Sequence, residues 1–396
     1  MPITILRLLA FDGPNLYGPQ PGVALLVRAE RDLSARMRGA LKDAALAVGV
    51  MIARLEVDVR PESDGFLLEI RFVTATSALG AELARYVVDG LNAQQANDEE
   101  WDPEEPLWQL QRRRRAASLP VEALQIIAEA GARDLPAFVR ADGMLQVGYG
   151  ARGRALSVAR AGGSPGLLAP ESIGVGAPLP TGNEAAAALP WAQVGRIPIL
   201  TLCGGPAAAE AARLLAAQLP GASLAQAAGF DAARALLADP AVQLAVLGLE
   251  MSDLALRGAP FDRCSACALL DLPGTPPPDI GDPAQLARAL GVPMLLTDPT
   301  GVAAINADEP ALLALAEYAP CPVVLLSARP DSSAIAAHRT NGGAALFLRN
   351  GTIIAAHGPA EQLHGPAPAD QPLGALAALA LAEYTAEAQR TQRPER

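Results

Sequence analysis

The spacing of apolar positions changes its period along the chain. In the opening segment, "ITILRLLAF" and "GVALLVRAE" read as two strands, separated by a Gly/Pro-rich loop from Asp12 to Gly22, with the second strand through Leu25 to Val27. A helix is expected from about Asp32. "IARLEVDVRP" and "FLLEIRFVTA" then alternate apolar and polar residues as paired strands do, with Pro61 to Gly65 as their turn. "SALGAELARYVVDGLNAQ" carries apolar residues at helical spacing, and Ser77 is placed to cap it. These elements predict a small α+β domain over residues 1–96.

From Asn97 to Arg115 the composition swings from acidic "NDEEWDPEEP" to basic "RRRR", the mark of a solvated linker or helix face, or of a docking segment paired with its acidic neighbour. A helix capped by Ser118 and stopped near Gly131 follows, with short strands around Phe138 and Leu145 to Val147. Residues 97–160 therefore read as a connecting region, and residues 161–192, rich in Gly, Pro, Ala and Ser without a sustained period, as a linker.

Between residues 193 and 365 strands alternate with helices. The expected strands are Ile199–Leu202, Val242–Leu247, Ala266–Leu270, Met294–Thr297, Ala303–Ile305 and Val323–Leu326, with helices such as Ala207–Gln218 between several of them. That alternation predicts a parallel sheet covered on both faces, an α/β domain. "ALFLRNGTIIAAHG" reads as a hairpin turning at Asn350-Gly351, and residues 366–396 as one helix and a polar tail. The tail helix from Leu373 to Tyr384 has Ala and Leu on nearly every side, so one face is expected to pack on this chain and another on a second chain.

Composition narrows the function classes. The formal charge of −11 argues against a nucleic-acid or anionic-membrane partner, since both require a basic field. Lys42 is the only lysine, so every other cation is an arginine, a poor general base. There is no signal-peptide pattern and no run approaching the ~18 apolar residues of a membrane span, which places the expected location in the cytoplasm. The cysteines are Cys203, Cys264, Cys267 and Cys321. Cys264 and Cys267 form one CxxC, but no second pair lies near it, and His338, His357 and His364 all fall in one C-terminal stretch. Buried thiols, rather than a metal site, are expected.

The stretch that carries chemistry is "RIPILTLCGGPAAAEAARLL", Arg196 to Leu215: a strand, a glycine turn and an alanine-rich helix. This is the scaffold of a phosphate-binding loop, in which backbone N–H groups at a helix start face phosphate oxygens, a lysine reaches the outer phosphates and a hydroxyl holds Mg²⁺. Gly204 and Gly205 leave room for backbone donors, Pro206 removes one, and Ala208 and Ala209 stand where the lysine and hydroxyl are needed. Arg213 sits two turns down the helix. No catalytic residue, metal ligand or cofactor is assigned. Restoring Lys and Thr at positions 208 and 209 is expected to leave stability nearly unchanged.

Several stretches together resemble the cyanophycin synthetases. They are "FDGPNLYGPQPGV", "SLPVEALQIIAEAGARDLPAFVRADGMLQVGYGARGR", "RIPILTL", "LAVLGLEMSDLALRGAPFDRC", "GVAAINADEP" and "AHRTNGGAALFLRNGTIIAAHG", in that family's order. The resemblance implies an ATP-dependent ligase that builds a poly-aspartate chain with arginine branches. It also implies a Mur-ligase-like, phosphate-loop type of parallel-sheet domain after the N-terminal α+β domain. This sequence departs from the family where the chemistry lies. Gly150 leads to the glycine turn without an intervening ATP-grasp domain. The family's loop of the type "GTNGKTT" aligns with "GGPAAAE", which puts Pro206 at its asparagine, Ala208 at its lysine and Ala209 at its threonine. The family's magnesium-binding glutamate falls at Gly248, with Glu250 two residues on, and its Asp-His pair falls at Thr275 and Pro276.

Three readings follow. The first is a pseudoenzyme, a scaffold or regulator that associates as a homodimer, with a cyanophycin-type ligase or with the aspartate/arginine polymer. The second is an ATP-dependent amide ligase or other enzyme with a rebuilt site around Asp12 and Asn15, or around Glu250, Asp253 and Asp271, residues that serve more commonly as turn formers, caps or solvated charges. The third is weak binding of a nucleotide or small anion at Gly204 and Gly205 without turnover.

Overall fold

The computed structural model describes residues 2–158, 177–178, 186–187, 189–219, 222–272 and 283–391. It resolves into two compact units, Met1–Ser118 with Leu256–Ala259, and Leu119–Ala255 with Pro260–Arg396.

In the first unit the alternating segments form β1 (Thr4–Phe11), β2 (Gly22–Ala29), β3 (Ala53–Glu62) and β4 (Gly65–Val73), with helices α1 (Ser34–Val48), α2 (Ser77–Ala96) and α3 (Glu104–Ala116). The sheet is antiparallel throughout, in the order β1-β2-β4-β3. Because side chains alternate along a strand, Val23, Leu25 and Val27 of β2 and Leu68, Ile70 and Phe72 of β4 form one buried face. Met37, Leu41 and Val48 of α1 and Leu83, Val87 and Leu91 of α2 close it.

Helix α3 answers the question raised by the acidic-to-basic run. Glu104 and Glu105 occupy its first turn and Arg113 to Arg115 its last, the arrangement that complements the helix dipole. Leu110 is buried in the core of this unit and Leu107 packs against it, so the unit extends to Ser118, beyond residue 96. The two expected serine caps are not caps. The Ser77 hydroxyl donates to Asp12, and the Ser118 hydroxyl donates to the Arg114 carbonyl at 3.1 Å.

The second unit starts with α4 (Val121–Ala132), β5 (Ala137–Val139), β6 (Leu145–Val147), β7 (Arg154–Ser157) and β8 (Ala177–Pro178). The four strands pair in chain order, and Ala123, Ile126 and Ala130 of α4 pack on Leu145, Val147 and Leu156. Most of the expected 161–192 linker lies outside the described residues, although Leu189 and Trp191 join this small core.

The main body follows as β9 (Ile199–Gly204), α5 (Pro206–Gln218), β10 (Ala222–Ala228), α6 (Phe230–Ala238), β11 (Leu244–Glu250), α7 (Met251–Arg257), β12 (Cys264–Leu269), α8 (Pro283–Leu295) and β13 (Thr297–Asn306). It continues with α9 (Pro310–Leu313), β14 (Val323–Ser327), α10 (Ser333–Thr340), β15 (Ala344–Arg349), β16 (Thr352–His357), β17 (Ala360–Pro366) and α11 (Pro372–Thr391). The sheet order is β10-β11-β9-β12-β13-β14-β15-β16-β17, parallel from β10 to β15 and antiparallel for the last two strands. This confirms the α/β expectation. The hairpin turns at Asn350 and Gly351, both at positive φ (51° and 74°), which matches the twist of the strands it joins.

The residue pattern misplaces one strand and misses two. Met294 lies in the last turn of α8, and β13 begins only at Thr297 as one long strand, because a short apolar run does not distinguish helix from strand by period. Strands β10 and β17 carried no signal, the first being alanine-rich and the second mostly exposed. Helix α11 packs on its own unit. Leu376, Ala377, Ala378, Ala380 and Leu381 are buried against α5 and the sheet. The close packing is permitted by small residues: a Cβ on Gly374 would stand 3.4 Å from the Ala207 carbonyl oxygen and 3.5 Å from the Ala211 nitrogen. The face of the helix expected to pack on this chain does so.

Candidate functional site

In an open parallel sheet, ligands meet the carboxyl ends of strands where neighbouring connections run in opposite directions. Here β9, flanked by β11 and β12, connects through α5 to β10 beyond β11, while β12 connects through α8 in the other direction to β13. The crevice between β9 and β12 is therefore the expected site, and it holds Gly204 and Gly205 on one strand end and Asp271 just past the other.

The Gly205 N–H donates to Asp271 Oδ1 at 2.9 Å, and the neighbouring Ala207 N–H also favours the ionised carboxyl. The approach is close: a Cβ on Gly204 would fall 2.4 Å from Asp271 Oδ1. Burial pushes the Asp271 carboxyl up, against the backbone N–H groups of Gly205 and Ala207 that pull it down. An internal carboxylate thus occupies a backbone donor that a phosphate oxygen would use. Asn306 steadies this strand end, its amide donating to the Leu270 carbonyl at 2.6 Å. Nearby, Asp308 accepts from the Ser327 hydroxyl at 2.6 Å and the Ala328 N–H at 2.8 Å, so "INADEP" organises the strand ends.

The other loop positions are filled with hydrocarbon. Pro206 opens α5 with no N–H to give. Ala208 is only 2% exposed and belongs to the core between α5, the sheet and α11, whereas Ala209 is half-buried. The expectation that a lysine at 208 would be cheap fails on this packing. Arg213 points away to Glu210 on the exposed side of α5.

The remaining candidates resolve individually. Glu250 ends β11 in register with Gly204, so Glu250 and Asp271 flank the glycine turn from neighbouring strands. Asp253 lies on α7 near Gly229, where a Cβ would stand 3.5 Å from the Asp253 Oδ2. Among the described residues no group of three His, Cys, Asp or Glu side chains could hold a metal ion. Gly248 is inside β11, and Thr275 and Pro276 lie outside the described residues. Lys42 is on α1 of the first unit.

Asp12 and Asn15 are structural. Asp12 holds the Arg257 guanidinium at 2.7 Å and its N–H donates to the Arg257 carbonyl, while the buried Asn15 amide donates to the Gly13 and Gln20 carbonyls. The "FDGPN" loop therefore clasps the segment 256–259, whose Ala259 N–H donates to the Pro14 carbonyl. "FDRC" is likewise a fastening: Asp262 takes the Arg196 guanidinium and the Tyr149 hydroxyl, and Arg263 pairs with Asp134 at 2.9 Å.

The cysteines are free and buried. Burial pushes the Cys264 thiol up to about 12 and the Cys321 thiol up to about 11, and those of Cys203 and Cys267 upward as well. These are packing groups rather than nucleophiles. Residue type alone marks Asp271 as a possible ligand or base and gives no sign of its docking on the Gly205 amide. That contact joins residues from different strands, and only the crossover at β9 brings them together.

These features define an α/β protein with a glycine turn at the switch point of a parallel sheet. The chain belongs to the family described as Domain of unknown function (DUF4938), whose model matches residues 2–326. It is related to cyanophycin synthetases: 33% identical over 122 residues to that of Synechocystis sp., covering 30% of this chain and 14% of the relative. To that of Trichormus variabilis it is 28% identical over 185 residues, covering 41% and 20%. The matches thus span a fifth or less of the relatives' length. Similar solved structures include the UDP-N-acetylmuramate:L-alanyl-gamma-D-glutamyl-meso-diaminopimelate ligase of Neisseria meningitides, at TM-score 0.33 and 13% identity over 48% of this chain and 62% of the other. Another is MurF of Acinetobacter baumannii, at TM-score 0.34 and 14% identity over 48% and 43%. The architecture rests on the sheet order itself.

Proposed function

We propose that this protein is a non-catalytic relative of the cyanophycin synthetases, a pseudoenzyme that acts in the cytoplasm as a scaffold or regulator. Its partners would be a cyanophycin-type ligase, the polymer of such a ligase, or a second copy of itself. The observation that carries the reading is the Asp271 carboxylate seated on the Gly205 N–H, in a loop whose flanking positions are Pro206, Ala208 and Ala209. A phosphate brought to the same donor would meet a like charge. Two unit charges ~4 Å apart repel by about 4 kcal/mol at an effective dielectric constant of 20, and no lysine or arginine of the loop offsets this. Phosphoryl transfer depends on cations aimed at the β/γ-phosphates, so the loop opposes the reaction it would have to catalyse. A fold can persist without that chemistry, because core packing depends on volume and patterning. Four buried, unpaired thiols fit a reducing compartment.

The test is steady-state release of ADP and phosphate by the purified full chain with Mg²⁺, ATP, aspartate and arginine. No turnover is expected. A rate above about 0.1 s⁻¹, slow for an enzyme but measurable, refutes the reading. Co-purification with an active cyanophycin synthetase tests the partner, and its failure together with a monomeric mass in light scattering removes the association.

A further inference from the structure

The second unit holds a cavity of about 560 Å³ at the amino ends of central strands of its large sheet, the strand ends opposite the glycine turn. It is lined by residues that lead into or begin the parallel strands: Pro198 before β9, Gln243 before β11, Ser265 in β12 and Asp298 in β13. Its size falls within the ~300–1,000 Å³ of small-molecule sites.

The wall carries three guanidiniums and one carboxylate, and their pairing decides what fits. Arg196 is engaged by Asp262 and by Asp134 at 3.7 Å, and Arg263 by Asp134 at 2.9 Å. Arg152 is different: among the described residues its guanidinium has neither an ion pair nor a hydrogen bond. It is nevertheless held in place. The turn beneath it is built on close backbone contacts, with the Ala151 N–H on the Val242 carbonyl at 2.7 Å and the Gly195 N–H on the Arg152 carbonyl at 3.0 Å. The guanidinium lies against Gly195, where a Cβ would stand 2.8 Å from its Cζ, and a Cβ on Gly150 would stand 2.4 Å from the Val242 carbonyl oxygen. The glycine-dense "GYGARG" thus fixes the backbone from which Arg152, itself exposed, reaches the cavity wall.

The carboxylate is Asp298. Its Oδ1 accepts the Thr300 N–H at 2.9 Å and the Thr300 hydroxyl at 2.7 Å, while among the described residues Oδ2 has no hydrogen-bond partner. The Thr300 hydrogen bonds, with a smaller contribution from Arg263, hold this carboxyl below the usual range and so ionised at neutral pH. Tyr384 of α11 also faces the cavity, its hydroxyl unengaged among the described residues.

One cation and one anion are therefore left over on a wall that is otherwise neutralised. A polyanion such as a nucleotide phosphate would gain Arg152 and meet Asp298 as a repulsion. A ligand carrying both charges satisfies each group. We infer that this cavity binds a small zwitterion, an α-amino acid or a short peptide, with its carboxylate on Arg152, its ammonium on Asp298 and the Tyr384 hydroxyl as an orienting contact. The site is independent of the glycine turn, so it stands or falls apart from the pseudoenzyme reading.

The experiment is saturation-transfer NMR and thermal shift on the full chain with each standard L-amino acid and with Gly-Gly. Acetate, methylammonium and inorganic phosphate serve as single-charge controls. At least one zwitterion is expected to bind saturably with a Kd at or below about 1 mM, and Arg152→Gln and Asp298→Asn each to weaken it by about tenfold or more. Tyr384→Phe, which preserves packing, provides a third variant and is expected to weaken binding less. The inference is overturned if no zwitterion binds at about 10 mM. It is also overturned if neither charge-removing substitution alters binding, or if phosphate or acetate binds as tightly as the best amino acid.

Discussion

Replacing Asp271 tests whether the glycine turn is self-occupied. In Asp271→Ala the Gly205 N–H loses its acceptor. An unsatisfied buried donor costs about 1–3 kcal/mol, and since this site is only partly shielded from water a value of ~1–2 kcal/mol applies. Relief of the buried charge offsets part of this, so a net loss of about 1 kcal/mol is expected in urea denaturation followed by circular dichroism. Asp271→Asn keeps an acceptor and removes the charge, and its comparison with the native protein isolates the ionisation. Because the folded carboxyl is raised, the folded state holds its proton to higher pH than the unfolded state does. The stability tied to that proton is fully present below the unfolded value of about 3.9 and is lost as pH rises through the folded value. The native protein should therefore lose ground to Asp271→Asn on going from about pH 4 to neutrality. The ligand arm is independent of these energies. With that donor freed, Asp271→Ala should be stabilised by inorganic phosphate, by about 1.4 kcal/mol at ten times the dissociation constant, while the native protein should not respond. A native protein that gains on Asp271→Asn with rising pH, or that binds phosphate as tightly as Asp271→Ala, refutes the argument.

Ala208→Lys should be destabilising rather than neutral: overpacking costs about 1–3 kcal/mol, and confining an ammonium beside α11 adds to it, which a melting curve lower by several degrees would report. A change below about 0.5 kcal/mol would mean that position 208 is not in the core. The thiols of Cys203, Cys264, Cys267 and Cys321 should remain unreactive toward Ellman's reagent at pH 8 until the protein is unfolded, because burial raises each of them. A thiol titrating in the native protein would refute that placement.

The strands and helices with a clear period were legible from the residues alone, because burial on one face imposes a repeat of two on a strand and 3.6 on a helix. The β2–β4 core, the parallel body from Ile199 onward and the Asn350-Gly351 turn belong to this class. Where the repeat was missing, in alanine-rich β10 or exposed β17, or ambiguous, at Met294, the residues gave no direction. Helix α11 was legible only in part. Its pattern correctly announced burial on many sides, but it could not say that α5 and the sheet of the same unit supply the cover, through the small surfaces of Ala207, Ala211 and Gly374.

The site divides in the same way. Chain order and residue type determined that Gly204 and Gly205 lie between a strand and a helix, and that the usual phosphate partners are absent. Only the tertiary structure decided what the glycines do, because sheet order, not sequence separation, sets neighbours. It places β12 beside β9 and so brings Asp271 onto the Gly205 amide across 66 positions of chain. The same ordering gathers Arg152, Asp298 and Tyr384 around one cavity. Local propensity reads one segment at a time. A site at the ends of parallel strands is assembled from segments that meet only after the crossovers have been made.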